Sequence, residues 1–532
     1  MRILAPVGLV VLVIISYCQG QNQDSTVGST PENLAAVSQS VTNLAQKISL
    51  AIANPKSKTE IFSPVSIAGA LSLLLLGSGG ATRDELINVM GFQNSRLSFT
   101  DIHKSFGRLF QDLVSNEPAQ NVNIPWRAND KCNNYDYDEE DYVQQKPSSP
   151  QRGRRDTEEP VEIKIANGVF APKGMQFDPK FQLIAERFYG LDTHHVDFKT
   201  KMQNAIQTIN AWIKRLSRGR ISDIVAQLDT SSMLVMTNTL FFKAKWEVPF
   251  IMGGTKSKPF FIDGPNKPAI EVPMMVNGGC FPFYYWQEMN TKVLGIPYKR
   301  NITLYAFLPD NPTKEKVRTL QLNINATALN EIINKMEMKM AAVQFPKLHV
   351  QNFLNLRQTL DQLGVTKMFN RDESDLNRIW LNRSSVTIHD YMDAFDFLED
   401  TRENAIIELR HQHNDCVIIE KDVSSRVLCE ESILCRYKGG QCICCAVLAS
   451  AKRRQKRYNG YFNSHLFVNE ILHKIDLVVN ESGTESGAAV IPFMDKNFPQ
   501  VNFKVNGPFL VLIRDEKTQL PLYYGGIFDP RF

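Results

Sequence analysis

Apolar residues recur at helical spacing near the start of the chain. Leu34, Val37, Val41, Leu44, Ile48 and Ile52 fall on one face of a 3.6-residue period and predict an amphipathic helix that Asn54-Pro55 ends. Residues 101–114 repeat the pattern through Ile102, Phe106, Leu109, Phe110 and Leu113. Between the two, Ser66–Leu76 is apolar on every side, the pattern of a buried core helix, and is too short to cross a bilayer. Strand-like stretches cover Glu162–Phe170, Met233–Lys243, Thr303–Leu308, Lys474–Val479 and Phe509–Ile513, with helical segments among them. Strands and helices mixed without a regular βαβ beat argue against a doubly wound sheet and for an α+β protein.

Two segments break this texture. Residues 117–160 carry Asn-rich and Pro-Ser-Ser-Pro stretches, the acidic run from Tyr135 to Tyr142 and the basic run from Arg152 to Arg155, and read as a long mobile loop. Residues 381–464 hold six cysteines (Cys416, Cys429, Cys435, Cys442, Cys444 and Cys445) and the basic run from Lys452 to Arg457. Neither segment reads as core. The second is either a disulfide-clasped excursion or a segment foreign to the mature chain, such as a translated intron.

The compartment follows from the first residues. Met1-Arg2, an apolar run from Ile3 to Tyr17, then Cys18-Gln19-Gly20 before polar Gln21 form the pattern of a secretory signal over residues 1–20, so the protein is expected to be secreted and extracellular. In that setting clustered cysteines suggest disulfides, whose pairing the sequence leaves open, and the sequons at Asn301, Asn325 and Asn382 become glycosylation candidates. His411 and His413 do not complete a common zinc spacing with the cysteines, so no metal and no cofactor is expected. Lys+Arg number 60 against 56 Asp+Glu, a formal net charge of +4, which excludes a generic nucleic-acid binder. No membrane partner is expected, and the protein is expected to be a monomer.

The C-terminal region carries the most specific motifs. The run from His473 through Asn480-Glu-Ser-Gly-Thr-Glu-Ser-Gly-Ala-Ala489 is followed by Phe503 to Phe509, then Leu522-Tyr-Tyr-Gly-Gly526 and Asp529-Pro530. Upstream stand Phe62-Ser-Pro-Val-Ser-Ile67, Ala166-Asn-Gly-Val-Phe170, Asn210-Ala-Trp212, Asn238 to Trp246, Val272-Pro-Met-Met275 and Phe307-Leu-Pro-Asp310. In this order and over nearly the whole chain, these motifs resemble the serpin family. Without the signal and the two unusual segments, about 380 residues remain, the length of one serpin body. The resemblance implies a single serpin domain over 21–532 interrupted by insertions at 117–160 and 381–464. It also implies the serpin fold: three β-sheets, eight or nine helices and an exposed reactive loop.

The same resemblance implies that the protein is no enzyme but an inhibitor of serine endopeptidases. Its loop is cut as bait and then inserts into the main sheet, leaving the protease covalently trapped. The hinge is Glu481, Gly483, Thr484, Glu485, Ser486, Gly487, Ala488 and Ala489, and physics supports that role: a loop that later slips between two strands needs small side chains, and Gly and Ala are poor strand formers until paired. Ser63, Ser66, Asn238 and His473 match the family's shutter, a polar cluster beneath the place where the sheet opens. They are not a catalytic set, since no Gly-x-Ser-x-Gly elbow and no third triad member accompany them.

Taking Thr484 as the fourteenth residue before the scissile bond, or counting eleven back from Pro508, reaches Asn497. Lys496 would instead fill the acidic pocket of a trypsin-like protease, so the bond is Lys496–Asn497 or Asn497–Phe498, with Phe493 or Phe498 as bait for a chymotrypsin-like pocket as a further alternative. Pro492 lies among the inserting residues without an N–H for the ladder, and Val490 stands where the family usually has Thr; Gly487 and Pro492 together are expected to slow insertion, so part of the encounters end in simple hydrolysis. A sequon at Asn480 at the hinge base is expected to stay unused. Tyr135, Tyr137 and Tyr142 sit in a sulfation-like acidic context, of the kind with which a few serpins bind a protease's basic exosite, or form a solvated acidic loop; the basic runs at 152–155 and 454–457 fit convertase sites or plain basic patches, and a glycosaminoglycan or protease exosite is the further partner considered. By analogy with arthropod serpins, the setting is an extracellular cascade such as melanisation or Toll signalling. The competing reading is a non-inhibitory carrier, storage protein or scaffold.

Overall fold

The computed structural model describes residues 29–115, 122–128, 132, 161–228, 233–380, 417–419, 435–438, 441–444, 466–484 and 499–531. Contacts divide the chain into two units, Met1–Ser29 with Ser385–Arg457, and Thr30–Ser384 with Tyr458–Phe532.

The first unit contains a three-stranded antiparallel sheet of β10 (Val417–Ile419), β12 (Gln441–Cys444) and β11 (Cys435–Lys438), in that spatial order. Its cysteines, apart from those strand positions, lie outside the described residues.

The second unit is α+β. Its main sheet has five strands: β1 (Glu162–Pro172), β2 (Leu191–Val196), β3 (Val235–Lys243), β9 (Leu348–Asn355) and β13 (Glu470–Val479), in the order β2-β1-β3-β13-β9. A second, eight-stranded sheet runs β14 (Val501–Lys504), β8 (Glu337–Pro346), β5 (Ile270–Trp286), β6 (Thr291–Tyr298), β7 (Ile302–Pro309), β15 (Phe509–Asp515) and β16 (Pro521–Ile527), with β4 (Lys256–Phe260) on the side of β5. β5, 17 residues long, carries one half of this sheet into the other. It pairs with β4 and β8 along most of its length and with β6 through Phe283–Trp286, so the two smaller sheets of the expected fold share one continuous strand.

The helices follow their caps. Thr30 accepts from Asn33 N–H at the head of α1 (Pro31–Ala51), where Pro31 costs no hydrogen bond. α2 (Pro64–Gly77) starts at Ser63 and is buried at every residue, as its all-apolar sequence requires. α3 (Gly80–Val89) follows, and α4 (Phe99–Val114) opens on a capping box of Ser98 and Asp101. A four-residue turn, α5, covers Pro125–Ala128, and α6 (Pro179–Tyr189) ends on left-handed Gly190. α7 (Met202–Leu216) lays Ile206, Ile209, Trp212 and Ile213 against Ala166, Phe170, Val235 and Leu472 of the main sheet. Gly168 makes that contact fit: a Cβ there would stand 2.8 Å from the Trp212 ring. α8 (Lys314–Asn323), α9 (Ala326–Asn334) and α10 (Leu356–Gln362) complete ten α-helices among the described residues.

The motif Leu522–Gly526 has a steric basis. The backbone of residues 60–62 crosses β16, with Glu60 N–H donating to Gly526 O and Phe62 and Tyr524 exchanging both bonds. Gly525 lies at φ +152°, and a Cβ on it would sit 2.1 Å from Glu60 O.

One expectation needs correcting. Residues 117–160 were expected to stay clear of the core, yet Trp126 within them is buried and its indole N–H donates to Tyr305 Oη at 3.3 Å. Further on, Cys132 is joined to Cys280 of β5 by a disulfide, across 148 positions of sequence. A large aromatic with a polar partner gains more from burial than the surrounding polar composition suggests.

Candidate functional site

The functional geometry lies along the seam between β3 and β13. These parallel strands are laddered only over Glu470–His473 and Val235–Asn238. Beyond that point β13 is paired outward with β9 as far as Val479, and β3 outward with β1 as far as Lys243. Lower down the two strands form one continuous sheet; higher up their facing edges have parted.

The ladder stops at the four residues expected to form the shutter, and the structure brings all four together. Ser63 N–H donates to His473 Nε2 at 3.0 Å, Ser66 Oγ donates to Asn238 Oδ1 at 3.1 Å, and Ser63 Oγ accepts from Ser66 N–H at 3.4 Å. His473 Nδ1 donates to Asn238 Oδ1. Because a backbone N–H can only donate, Nε2 must be the bare nitrogen, which fixes a neutral imidazole. Burial enforces the same state and pushes the His473 pKa down to about 3. All four residues are fully buried, and among the described residues Asn238 Nδ2 has no hydrogen-bond partner, a cost of about 1–3 kcal/mol.

The upper end of the seam is where the expected hinge residues begin. After Val479 the chain turns through Asn480–Gly483, with Asn480 Oδ1 accepting from the N–H groups of Ser482 and Gly483 at 3.0 and 3.1 Å. Gly483, at φ +140°, passes so close to β3 that a Cβ would meet Ala244 O at 2.1 Å, so this position requires glycine. Thr484 is then fully buried: its N–H donates to Ala244 O at 2.9 Å, and its Oγ1 accepts from Ala244 N–H at 2.6 Å. Trp246, stacked on Tyr298 with ring centroids 3.8 Å apart, supports the turn by donating from its indole to Asn480 O at 2.8 Å. Glu481 accepts from Thr255 Oγ1 at 2.6 Å and pairs with Lys347 Nζ at 2.9 Å. Burial alone would raise its pKa; the bonds from Thr255 and Lys347 outweigh that and hold the carboxyl below its usual range.

Glu485 to Ala489, Lys496, Asn497 and Phe498 lie outside the described residues, as do Asn382, residues 1–28, the acidic tyrosines and both basic runs. On the far side of the loop, Gln500 N–H donates to Met340 O at 2.8 Å and β14 pairs with β8, so the loop leaves from the main sheet and returns to the second sheet. Asn325 is exposed and caps α9 through Oδ1, and Asn301 lies half-buried in the β6–β7 turn. Among the described residues no cluster of three or more His, Cys, Asp and Glu could hold a metal, and no helix is long and apolar enough to cross a membrane.

Sequence reasoning did not single out Ala244, Lys347, Arg220 or the Cys132–Cys280 pair. Trp246 stands out in the sequence only as part of a family motif, and its position beside a Lys-Ala-Lys run gives no hint of the carbonyl it binds.

A parallel seam laddered over only part of its length, a buried polar cluster where the ladder stops and a glycine-dependent turn at its upper end are the features of this site. The family model for serpins (serine protease inhibitors) matches residues 39–397 and 452–530, and the chain belongs to the serpin family. It is 28% identical over 503 residues to serine protease inhibitor 28Dc of Drosophila melanogaster, covering 93% of this chain and 79% of that protein. It is 25% identical over 471 residues to alpha-1-antiproteinase of Rattus norvegicus, covering 88% and 83%. Two solved human structures share the fold. Thyroxine-binding globulin complexed with thyroxine matches with TM-score 0.64 at 19% identity, over 94% of this chain and 100% of that one. Glycosylated kallistatin matches with TM-score 0.63 at 21% identity, over 94% and 99%.

Proposed function

We propose that this serpin is a secreted suicide inhibitor of a trypsin-like serine endopeptidase, acting in an extracellular proteolytic cascade of the kind that controls melanisation or Toll signalling. The observation that carries the reading is Thr484, buried at the upper end of a seam whose two edges are unladdered above His473. The protease serine attacks the carbonyl carbon of Lys496 or Asn497, its histidine hands the proton to the departing amine, and an acyl ester links the two proteins. Residues after Thr484 then enter the seam before water reaches the ester, each new backbone hydrogen bond contributing on the order of 1 kcal/mol over about a dozen residues. The shutter residues act by letting β3 and β13 part.

Incubation with trypsin, followed by denaturing electrophoresis and mass spectrometry of the released C-terminal fragment, tests this reading. An SDS-stable complex and a fragment starting at Asn497 are expected. Replacing Lys496 with Ala should then slow complex formation at least ~100-fold, since the pocket carboxylate is left uncompensated, while Asn497→Ala costs less than about tenfold. The reverse ranking moves the bond to Asn497–Phe498. Clean cleavage with no adduct by trypsin-, chymotrypsin- and elastase-like enzymes favours the second reading, a non-inhibitory carrier, to which the thyroxine complex of a fold relative lends some support.

A further inference from the structure

The segment that follows α7 lies across the seam and is pinned on both sides of it. On one side, Arg218 donates to Glu162 Oε1 of β1 at 2.6 Å, with its guanidinium 5.6 Å from the Phe241 ring of β3. On the other side, Asp223 takes Lys474 Nζ of β13 through both its backbone carbonyl, at 2.7 Å, and its carboxylate, at 3.1 Å. Between these anchors, Arg220 makes three contacts with the parts that insertion must rearrange. Its guanidinium lies 5.4 Å from the Phe241 ring of β3, its Nη1 is 3.8 Å from Asp476 Oδ1 of β13, and its Nη2 donates to Thr484 O of the hinge at 3.4 Å.

Asp476 is itself buried and fixed from the far side by Gln351 Nε2 at 2.5 Å and His349 Nε2 at 3.2 Å of β9, so pulling on it pulls on that half of the sheet. Admitting a strand moves β3 and β13 apart by one strand spacing, about 4.8 Å. Arg220 cannot then keep both Phe241 and Asp476, and the carbonyl of Thr484 must leave it to join the new ladder.

We propose that Arg220, seconded by Asp223, is an electrostatic latch that holds the upper seam together and keeps Thr484 at its mouth until the loop is cut. Arg220 is thus a positioning residue that sets how fast the sheet opens. The proposal rests on the inhibitory reading, and it adds a determinant of how encounters divide between trapping and hydrolysis. A latch too tight favours hydrolysis, and one too loose favours insertion of the uncut loop.

The test uses the full-length chain and a synthetic peptide copying residues 484–496, whose uptake into the seam reports opening without any protease. Arg220→Gln is expected to speed uptake about tenfold and Asp223→Asn about threefold, as expected for a partly buried and an exposed charge contact. Raising NaCl to about 0.5 M should speed uptake by the unmodified chain, because salt screens the latch, and should leave Arg220→Gln nearly unchanged. Arg220→Lys, which keeps the charge, should retain the salt response. Uptake at the same rate and with the same salt response in Arg220→Gln as in the unmodified chain overturns the latch while leaving the inhibitory reading standing. An unmodified chain that takes up no peptide at any salt concentration overturns both. If Arg220→Gln fails to fold, the salt response of the unmodified chain and the Asp223→Asn rate decide the matter.

Discussion

Two halves of one seam behave differently although the same strands form both. Below His473, β3 and β13 share a backbone ladder, and the polar groups of Ser63, Ser66, Asn238 and His473 close over its end. Above it, as far as Lys243 and Val479, the described strand residues make their backbone ladders outward, and side chains cross between them: Thr239 Oγ1 donates to Lys474 O at 2.7 Å, and Arg220 reaches from Phe241 to Asp476. Backbone bonds from Thr484 N–H to Ala244 O and from Trp246 N–H to Ser482 O return only at the mouth. Backbone bonds are sequence-independent and would reseal any strand pair, whereas side-chain contacts can be tuned residue by residue. On the inhibitory reading proposed above, a middle seam held by side chains leaves room for an added strand and makes the rate of opening adjustable by substitution.

The largest expected effect comes from placing a charge at the mouth of the open half. Thr484 is fully buried, so Thr484→Arg must either bury an unpaired guanidinium, at a cost of several kcal/mol, or stay outside the sheet. The variant should be cut at the same bond as the parent and yield almost no SDS-stable complex. Undiminished complex yield would contradict insertion through this end.

The closed half should show itself through acid. The His473 pKa lies at about 3 in the folded chain through burial, and outside the seam that of His103, buried in α4, lies at about 3 through burial and then the Arg83 charge, against an ordinary value near 6.5 when unfolded. A base whose folded pKa is depressed favours unfolding when protonated. The stability it contributes is complete above about pH 6.5 and is lost as pH falls towards 3. At pH 5 each histidine should have cost about 2 kcal/mol, about 4 for the two. Urea midpoints at pH 7.5 and 5 measure this loss, and His473→Phe should remove about half of the slope. An unchanged slope in that variant would place the acid sensitivity elsewhere.

The smallest effect belongs to the neutral bridge. Thr239→Val keeps the shape and removes the hydroxyl donated to Lys474 O, a bond of about 1 kcal/mol. Peptide uptake into the seam should quicken two- to fivefold while the thermal midpoint hardly moves. A larger gain than that of Arg220→Gln would make the hydroxyl the stronger tie.

Much of this was legible in the chain. The 3.6-residue period of Leu34 to Ile52 became α1, and the strand expected over Met233–Lys243 is present as Val235–Lys243. The strand expected from Lys474 starts earlier, at Glu470, with polar His473 turned inward to accept from Ser63 N–H. β5 was not foreseen, since Pro273, Pro282 and the Gly278-Gly279 pair punctuate it as turns would. Local motifs marked Ser63, Ser66, Asn238 and His473, and the structure brings the four together, whereas most of the expected hinge, Glu485 to Ala489, lies outside the described residues. Arg220 was not, because its significance lies in three contacts brought together from Phe241, Asp476 and Thr484, distant positions that a basic run after a helix does not announce.

The central claim is that the upper seam receives the chain beyond Thr484. The most direct measurement is the thermal midpoint before and after a single cut in residues 490–498, made by a protease that is then removed. About a dozen new ladder bonds at on the order of 1 kcal/mol each should raise the midpoint by at least about 15 °C. A cut chain that melts where the uncut chain does, with its loop severed and its sheet unchanged, would contradict the account.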